Sequence, residues 1–123
     1  YGFQAEPTPL DQNNLLKIKS LKEKYPSFGI GFMDHSDGIN EDAFNLALVV
    51  LGLGVNIIEK HITLDHLIQL EDCVSGLSPD RFYQFSQNLR RYEQALGRPS
   101  LKLTPLELEY QKKRRDVPII LIL

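Results

Sequence analysis

The chain holds three histidines, and two of them stand in matching positions. His35 follows the apolar run Phe28-Gly29-Ile30-Gly31-Phe32, and His61 follows Val55-Asn56-Ile57-Ile58-Glu59. Short apolar runs that end in polar residues read as buried strands with functional loops at their carboxyl ends. Neighbouring parallel strands lie about 4.8 Å apart, so imidazoles just beyond their ends can point at one ion. Imidazole suits Mn, Fe, Co, Ni or Zn, and two such ligands leave positions open for water or substrate. An open position is what a Lewis-acid role requires. Asp34 and Glu59 are the neighbours expected to orient the two rings. The plainer alternative is that each histidine packs at a strand end, and the pattern alone leaves both readings open. Lys60 also has two readings, a phosphate contact inside a barrel or an ion pair with an acid. His66, further along a polar loop, reads as a surface histidine. The single Cys73 has no predictable base beside it, which argues against a nucleophile.

Three βα units are needed to position these groups. Gly2-Phe3-Gln4 resembles the end of a first strand, and Pro7-Thr8-Pro9 turns the chain. A helix is expected from Asp11 as N-cap, with Leu15, Ile18, Leu21 and Tyr25 at helical spacing. Lys17, Lys19, Lys22 and Lys24 fall on its wet side, and Pro26 closes it. The second strand, residues 28–32, leads through Asp34-His35-Ser36-Asp37-Gly38 to a helix over about 41–53. That helix is apolar nearly all round and should be buried on more than one side. Gly52 and Gly54 mark its end. The third strand, residues 55–59, is followed by a polar loop over about 65–75. Ser78-Pro79-Asp80 then supplies an N-cap, a first-turn proline and a first-turn acid, and Phe82, Phe85, Leu89, Tyr92 and Leu96 form one helical stripe up to Gly97. Beyond it, residues 99–103 read as a linker, and Thr104-Pro105-Leu106-Glu107 has the form of a capping box opening a charged helix through about Arg115.

Alternating strands and helices with short connections imply parallel strands joined by right-handed crossovers. No glycine-rich phosphate fingerprint opens a helix, which favours a (β/α)8 barrel over a doubly wound sheet. The expected division is a barrel segment over 1–97 and a linker with a helical tail over 98–123. A net charge of -2 gives no overall basic field to draw in nucleic acid or an anionic membrane. The cluster Lys112-Lys113-Arg114-Arg115 reads as a solvated helix face. No apolar run is long enough to span a bilayer, Ile119 to Leu123 least of all. A lone cysteine excludes an intramolecular disulfide framework and makes a cytoplasmic location the default. The opening at Tyr1, inside an expected strand and without a leader, reads as the start of a fragment.

Three segments then become specific. Gly-Phe-Gln-Ala-Glu-Pro-Thr-Pro (2–9), Ile-Gly-Phe-Met-Asp-His-Ser-Asp-Gly (30–38) and Ile-Glu-Lys-His-Ile-Thr-Leu-Asp (58–65) resemble signature segments of the N-acetylneuraminate (sialic acid) synthase family. Glu71-Asp72-Cys73-Val74-Ser75, the helix ending Tyr92-Glu93-Gln94-Ala95-Leu96-Gly97, and Arg114-Arg115 continue the resemblance in order, up to about Val117. The resemblance implies the last three βα units of a (β/α)8 barrel that condenses phosphoenolpyruvate with an N-acetylated hexosamine, such as N-acetylmannosamine, and releases phosphate. It implies that His35 and His61 hold a divalent metal, typically Mn²⁺, which polarises the sugar aldehyde for attack by the enol carbon. Catalytic roles fall by the same resemblance to Glu59 and Asp72, and substrate contacts to Gln4, Glu6, Asp72 and Lys60.

The departures from the family pattern point to a divergent branch making a different nonulosonic acid. Met33 stands for a common Ser at the phosphate, Glu6 for a common Tyr near the sugar, and His66 for a common Arg. The resemblance further implies that phosphate-binding lysines and an early-strand acid belong upstream of Tyr1. A small C-terminal domain that reaches into the partner site of a homodimer belongs downstream. Rival expectations are another metal-dependent barrel, an aldolase or a 3-deoxy-sugar-acid synthase, and an inactive truncated fragment.

Overall fold

Hydrophobic patterning places two short strands at the centre and helices on one side of them. The computed structural model describes residues 1–3, 5–68 and 70–114. Strands β1 (Gly31–Asp34) and β2 (Ile57–Lys60) pair in parallel, with Phe32 opposite Ile58 and Asp34 opposite Lys60. Both begin two or three residues later than the apolar runs suggest. The parallel pairing agrees with the expectation, and each histidine lies just past its strand end. Ahead of the first helix, Tyr1 is tied to β1. Its amino nitrogen donates to Gly31 O at 2.8 Å, and Met33 N donates to Tyr1 O at 2.7 Å, a parallel pattern on the other edge of β1. Gln4 lies outside the described residues, as do Arg115, Val117 and Ile119 to Leu123.

Helix α1 spans Lys17–Lys24, later than Asp11 predicts. Residues Leu10–Gln12 form a 3-10 turn instead, and Asn14 takes a left-handed φ of 49° that breaks helical continuity. Asn13, nearly buried, donates its side-chain amide to Pro9 O at 3.1 Å and holds this bend. Lys22 is not simply on a wet face. Its ammonium donates to Leu53 O (3.2 Å) and Gly54 O (3.0 Å), carbonyls that helix α2 leaves unsatisfied.

Helix α2 (Asp42–Gly52) is buried on two sides, as its composition requires. Leu46 and Val50 pack with Ile18, Phe32 and Val55. Ala43 and Ala47, one row round, pack with Leu77 and with Phe85 of helix α3 (Pro79–Leu96). Ile58 reaches both clusters. The small alanines let α3 approach closely, and Phe85 meets Phe44 edge to face at 6.0 Å. Gly54 takes the left-handed φ of 81° that ends α2. Ser78 caps α3 by accepting from Arg81 N, Pro79 fills its first turn, and Gly97 ends it with φ 60°. Helix α4 (Pro105–Lys113) opens with the reciprocal Thr104–Glu107 capping box and buries none of its residues. Among the described residues no helix is long and apolar enough to cross a membrane.

The loops after β1 and before α3 touch at two glycines. Gly38 N donates to Val74 O at 2.8 Å, and a Cβ on Gly38 would collide with the Gly76 carbonyl. Backbone on backbone cannot relax as a flexible side chain can. Gly38→Ala is therefore expected to destabilise the fold by about 2 kcal/mol or more, read as a lowered urea midpoint with an unchanged m-value.

Candidate metal centre

Alternation along the strands sorts the chemical groups into two rows. Phe32, Asp34, Ile58 and Lys60 face the helices, where Phe32 and Asp34 are buried and Ile58 enters the core. Met33, Ile57 and Glu59 face the other way, and Ile57 and Glu59 are exposed. Continuing that second row past the strand ends brings out His35 and His61 side by side. Their Nε2 atoms are 3.1 Å apart, with ring centroids at 4.8 Å. His61 Nδ1 lies 3.9 Å from Asp72 Oδ2, and ligand atoms of His35, His61 and Asp72 all fall within 4.8 Å of one another.

Each member is held by a different part of the chain. The His35 carbonyl accepts from Thr8 N (2.8 Å) and from the buried Ser75 hydroxyl (2.9 Å). The His61 carbonyl accepts from Leu77 N at 2.9 Å, and Thr63 N donates to Leu77 O, a parallel bridge that ties the segment before α3 to the sheet. Asp72 takes a left-handed φ of 58° between two 3-10 turns, His66–Ile68 and Cys73–Ser75, that lie in the expected polar loop. Glu6, exposed, accepts from Val74 N at 3.1 Å and so tethers the Asp72 loop to the segment before α1.

These residues fit a metal. Two nitrogens each about 2.1 Å from one ion, at roughly 90–110°, stand about 3.0–3.4 Å apart, which is the separation found. Without an ion, one Nε2–H donating to the other Nε2 satisfies this spacing, and with an ion both Nε2 lone pairs turn to it. His35 is 4% exposed, and among the described residues its Nδ1 has no hydrogen-bond partner, while its Nε2 faces His61. His61 and Asp72 remain half-exposed and reachable by solvent or substrate.

Asp34 does not orient either ring. Its Oδ1 accepts from Ser36 N (2.8 Å) and its Oδ2 from Lys60 Nζ (2.8 Å). Of the two readings of Lys60, the structure shows the ion pair: its side chain is 1% exposed and faces the helices. Burial pushes the Lys60 ammonium below its ordinary pKa, and the Asp34 carboxylate pulls it part of the way back. Glu59 lies on the histidine row, exposed and opposite Met33. His66 sits in its 3-10 turn and does not join the cluster of described residues. Sequence reasoning missed Ser75 and Ser36 as supports, because serines in loops carry no periodic signal. It expected Asp72 as a sugar contact without foreseeing its place beside His61.

The NeuB family model matches residues 3–100. Pseudaminic acid synthase of Campylobacter jejuni is 38% identical over 99 residues, covering 80% of this chain and 27% of its own. N-acetylneuraminate-9-phosphate synthase of mouse is 29% identical over 109 residues, covering 89% of this chain and 29% of its own. The chain thus spans under a third of the length of these curated relatives. The crystal structure of N-acetylneuraminic acid (sialic acid) synthetase from Leptospira borgpetersenii, in complex with citrate, superposes with a TM-score of 0.79 at 30% identity, covering 94% of this chain and 39% of that one. With the parallel strands, the flanking helices and the paired histidines in place, these likenesses establish the chain as α/β, with the βα units of a TIM-barrel synthase, and it belongs to the NeuB family.

Proposed function

We propose that this chain forms part of a nonulosonic-acid synthase site that condenses phosphoenolpyruvate with an N-acetylated hexosamine, such as N-acetylmannosamine, and releases phosphate. The observation that carries the reading is the 3.1 Å approach of His35 and His61 with Asp72 beside them, in a NeuB-family chain. His35 and His61 would hold a divalent ion, Mn²⁺ by the resemblance to the synthase family, with Asp72 and water as the oxygen donors such an ion favours. When bound, such an ion supplies Lewis-acid polarisation of the acceptor aldehyde. Asp72, half-exposed on its loop 3.9 Å from His61 Nδ1, would accept from sugar hydroxyls. Glu59 stands on the histidine row as the carboxylate nearest along β2. Gln4 is assigned to the phosphate by its amide. Glu6 spends one oxygen on Val74 N and brings a further negative charge to the same loop. That charge favours an uncharged acceptor over a sugar phosphate. The expected setting is a cytoplasmic homodimer.

A chimaera tests the reading. Residues 1–97 replace the matching segment of the Campylobacter pseudaminic acid synthase, and phosphate release from phosphoenolpyruvate is followed with Mn²⁺ and a panel of acceptors. Turnover is expected with unphosphorylated N-acetylated hexosamines and less with their phosphate esters, which the Glu6 carboxylate would repel. A folded chimaera that turns over only aldoses lacking the N-acetyl group would favour a 3-deoxy-sugar-acid synthase instead.

A further inference from the structure

Behind the two histidines the structure buries an ion pair that the proposed reaction does not use. Lys60 and Asp34 are 1% and 0% exposed, 2.8 Å apart, with Ser36 Oγ as a second acceptor for Lys60 at 3.2 Å. Withdrawing two charges from water costs several kcal/mol per ion, recovered only by good geometry and further hydrogen bonds. Well-packed apolar residues in such a place are often as stabilising or more so, so stability alone does not account for the pair.

Position does. Asp34 and Lys60 are the last register partners of the β1–β2 ladder, and each immediately precedes a histidine. Past them the strands part to different neighbours: His35 O goes to Thr8 and Ser75, and His61 O to Leu77. The pair is thus the last tie between the strands before the histidines themselves. It lies on the opposite face from the imidazoles and one residue behind them.

We propose that Lys60 and Asp34 are positioning residues, a buried cross-strand staple that fixes the His35–His61 separation and thereby metal affinity, with Lys60 serving this role in place of substrate contact. The staple rests on the reading of His35 and His61 as a metal pair. Its mechanism is backbone spacing. With the staple removed, the two strand ends are free to separate, and the nitrogens must be drawn back to their spacing at the expense of binding free energy.

Mn²⁺ binding to the chain, measured by titration calorimetry and by electron paramagnetic resonance of free Mn²⁺, tests it on four proteins. These are the parent, His61→Ala, the double variant Asp34→Leu/Lys60→Met, and Ser36→Ala. The double variant removes both charges together, so neither is left buried alone. It is expected to fold, by circular dichroism, yet to bind Mn²⁺ at least about tenfold more weakly than the parent. A folded double variant with parental affinity overturns the staple. Should the double variant fail to fold, Ser36→Ala decides: it leaves the charges paired while loosening Lys60, and roughly threefold weaker binding is expected, whereas unchanged affinity overturns the proposal. A parent that binds no Mn²⁺, or a His61→Ala variant that binds as the parent does, overturns the metal reading and the staple with it. Parental binding that is lost in His61→Ala but kept in the folded double variant overturns the staple alone.

Discussion

Replacing His61 with Ala is expected to weaken Mn²⁺ binding by on the order of a hundredfold or more, since losing a direct ligand exceeds the 10–100-fold cost of losing an outer one. Two nitrogens at 3.1 Å define the site, and Asp72 lies 3.9 Å from the imidazole that would be removed. The remaining His35 is nearly buried and offers one nitrogen. The same result has a thermal form. A ligand at 100 times its Kd that binds only the folded state adds about 2.7 kcal/mol of stability. Saturating Mn²⁺ should therefore raise the unfolding temperature of the parent and leave that of His61→Ala unmoved. His66→Ala serves as the control, because His66 stands apart in a 3-10 turn, and it should retain the parental response. In the active chimaera, His61→Ala should lower Mn²⁺ affinity and turnover together. Full turnover after chelation and metal add-back would remove His61 from the site.

How much of this was legible in the chain depends on the range of the forces involved. Helix α3 was readable because its signals are local: Ser78, Pro79 and Asp80 at one end, Gly97 at the other, and a stripe of aromatic and aliphatic residues between. The Thr104–Glu107 box was readable for the same reason. Helix α1 starts later than its pattern suggests because its start depends on Asn14 adopting φ 49° and on Asn13 reaching Pro9, neither of which is a periodic feature. The histidine pair was legible as a pattern, apolar run then polar group, twice in succession. Its supports were not. Ser75 on His35 O, Glu6 on Val74 N and Lys60 on Asp34 join residues 40, 68 and 26 positions apart. Such contacts follow from the crossover connections that bring β1, β2 and the Asp72 loop to one end of the sheet. Local propensity carries no trace of them. Asp34 shows the consequence: proximity in sequence to His35 suggested a ring-orienting acid, but strand alternation turns it to the opposite face, where Lys60 claims it.

That commitment of Lys60 leads to the second large effect, an absence of synthase activity in these 123 residues by themselves. Phosphoenolpyruvate carries a carboxylate and a phosphate, and enzymes that transfer such groups meet them with positioned cations or amide donors. Around the histidines stand Glu6, Glu59 and Asp72, all reachable by solvent to some degree. Lys60, the lysine adjacent to His61, is buried against Asp34, and Arg81 spends its guanidinium on Gly38 O, Asn40 O and the ring of Phe44. A divalent ion offsets two of the three negative charges, so one remains and no positive charge is left over to draw in a trianionic substrate. The row that bears Ile57 and Glu59 is also open to solvent, so water is not kept from the reacting centre. Purified chain, given Mn²⁺, phosphoenolpyruvate and N-acetylmannosamine, should release no phosphate above the rate without protein, while still binding Mn²⁺ through His35 and His61. Acceptor-dependent phosphate release, abolished by His35→Ala, would mean that the cations needed for phosphoenolpyruvate are supplied within this chain, and that the buried Lys60 leaves Asp34 during turnover.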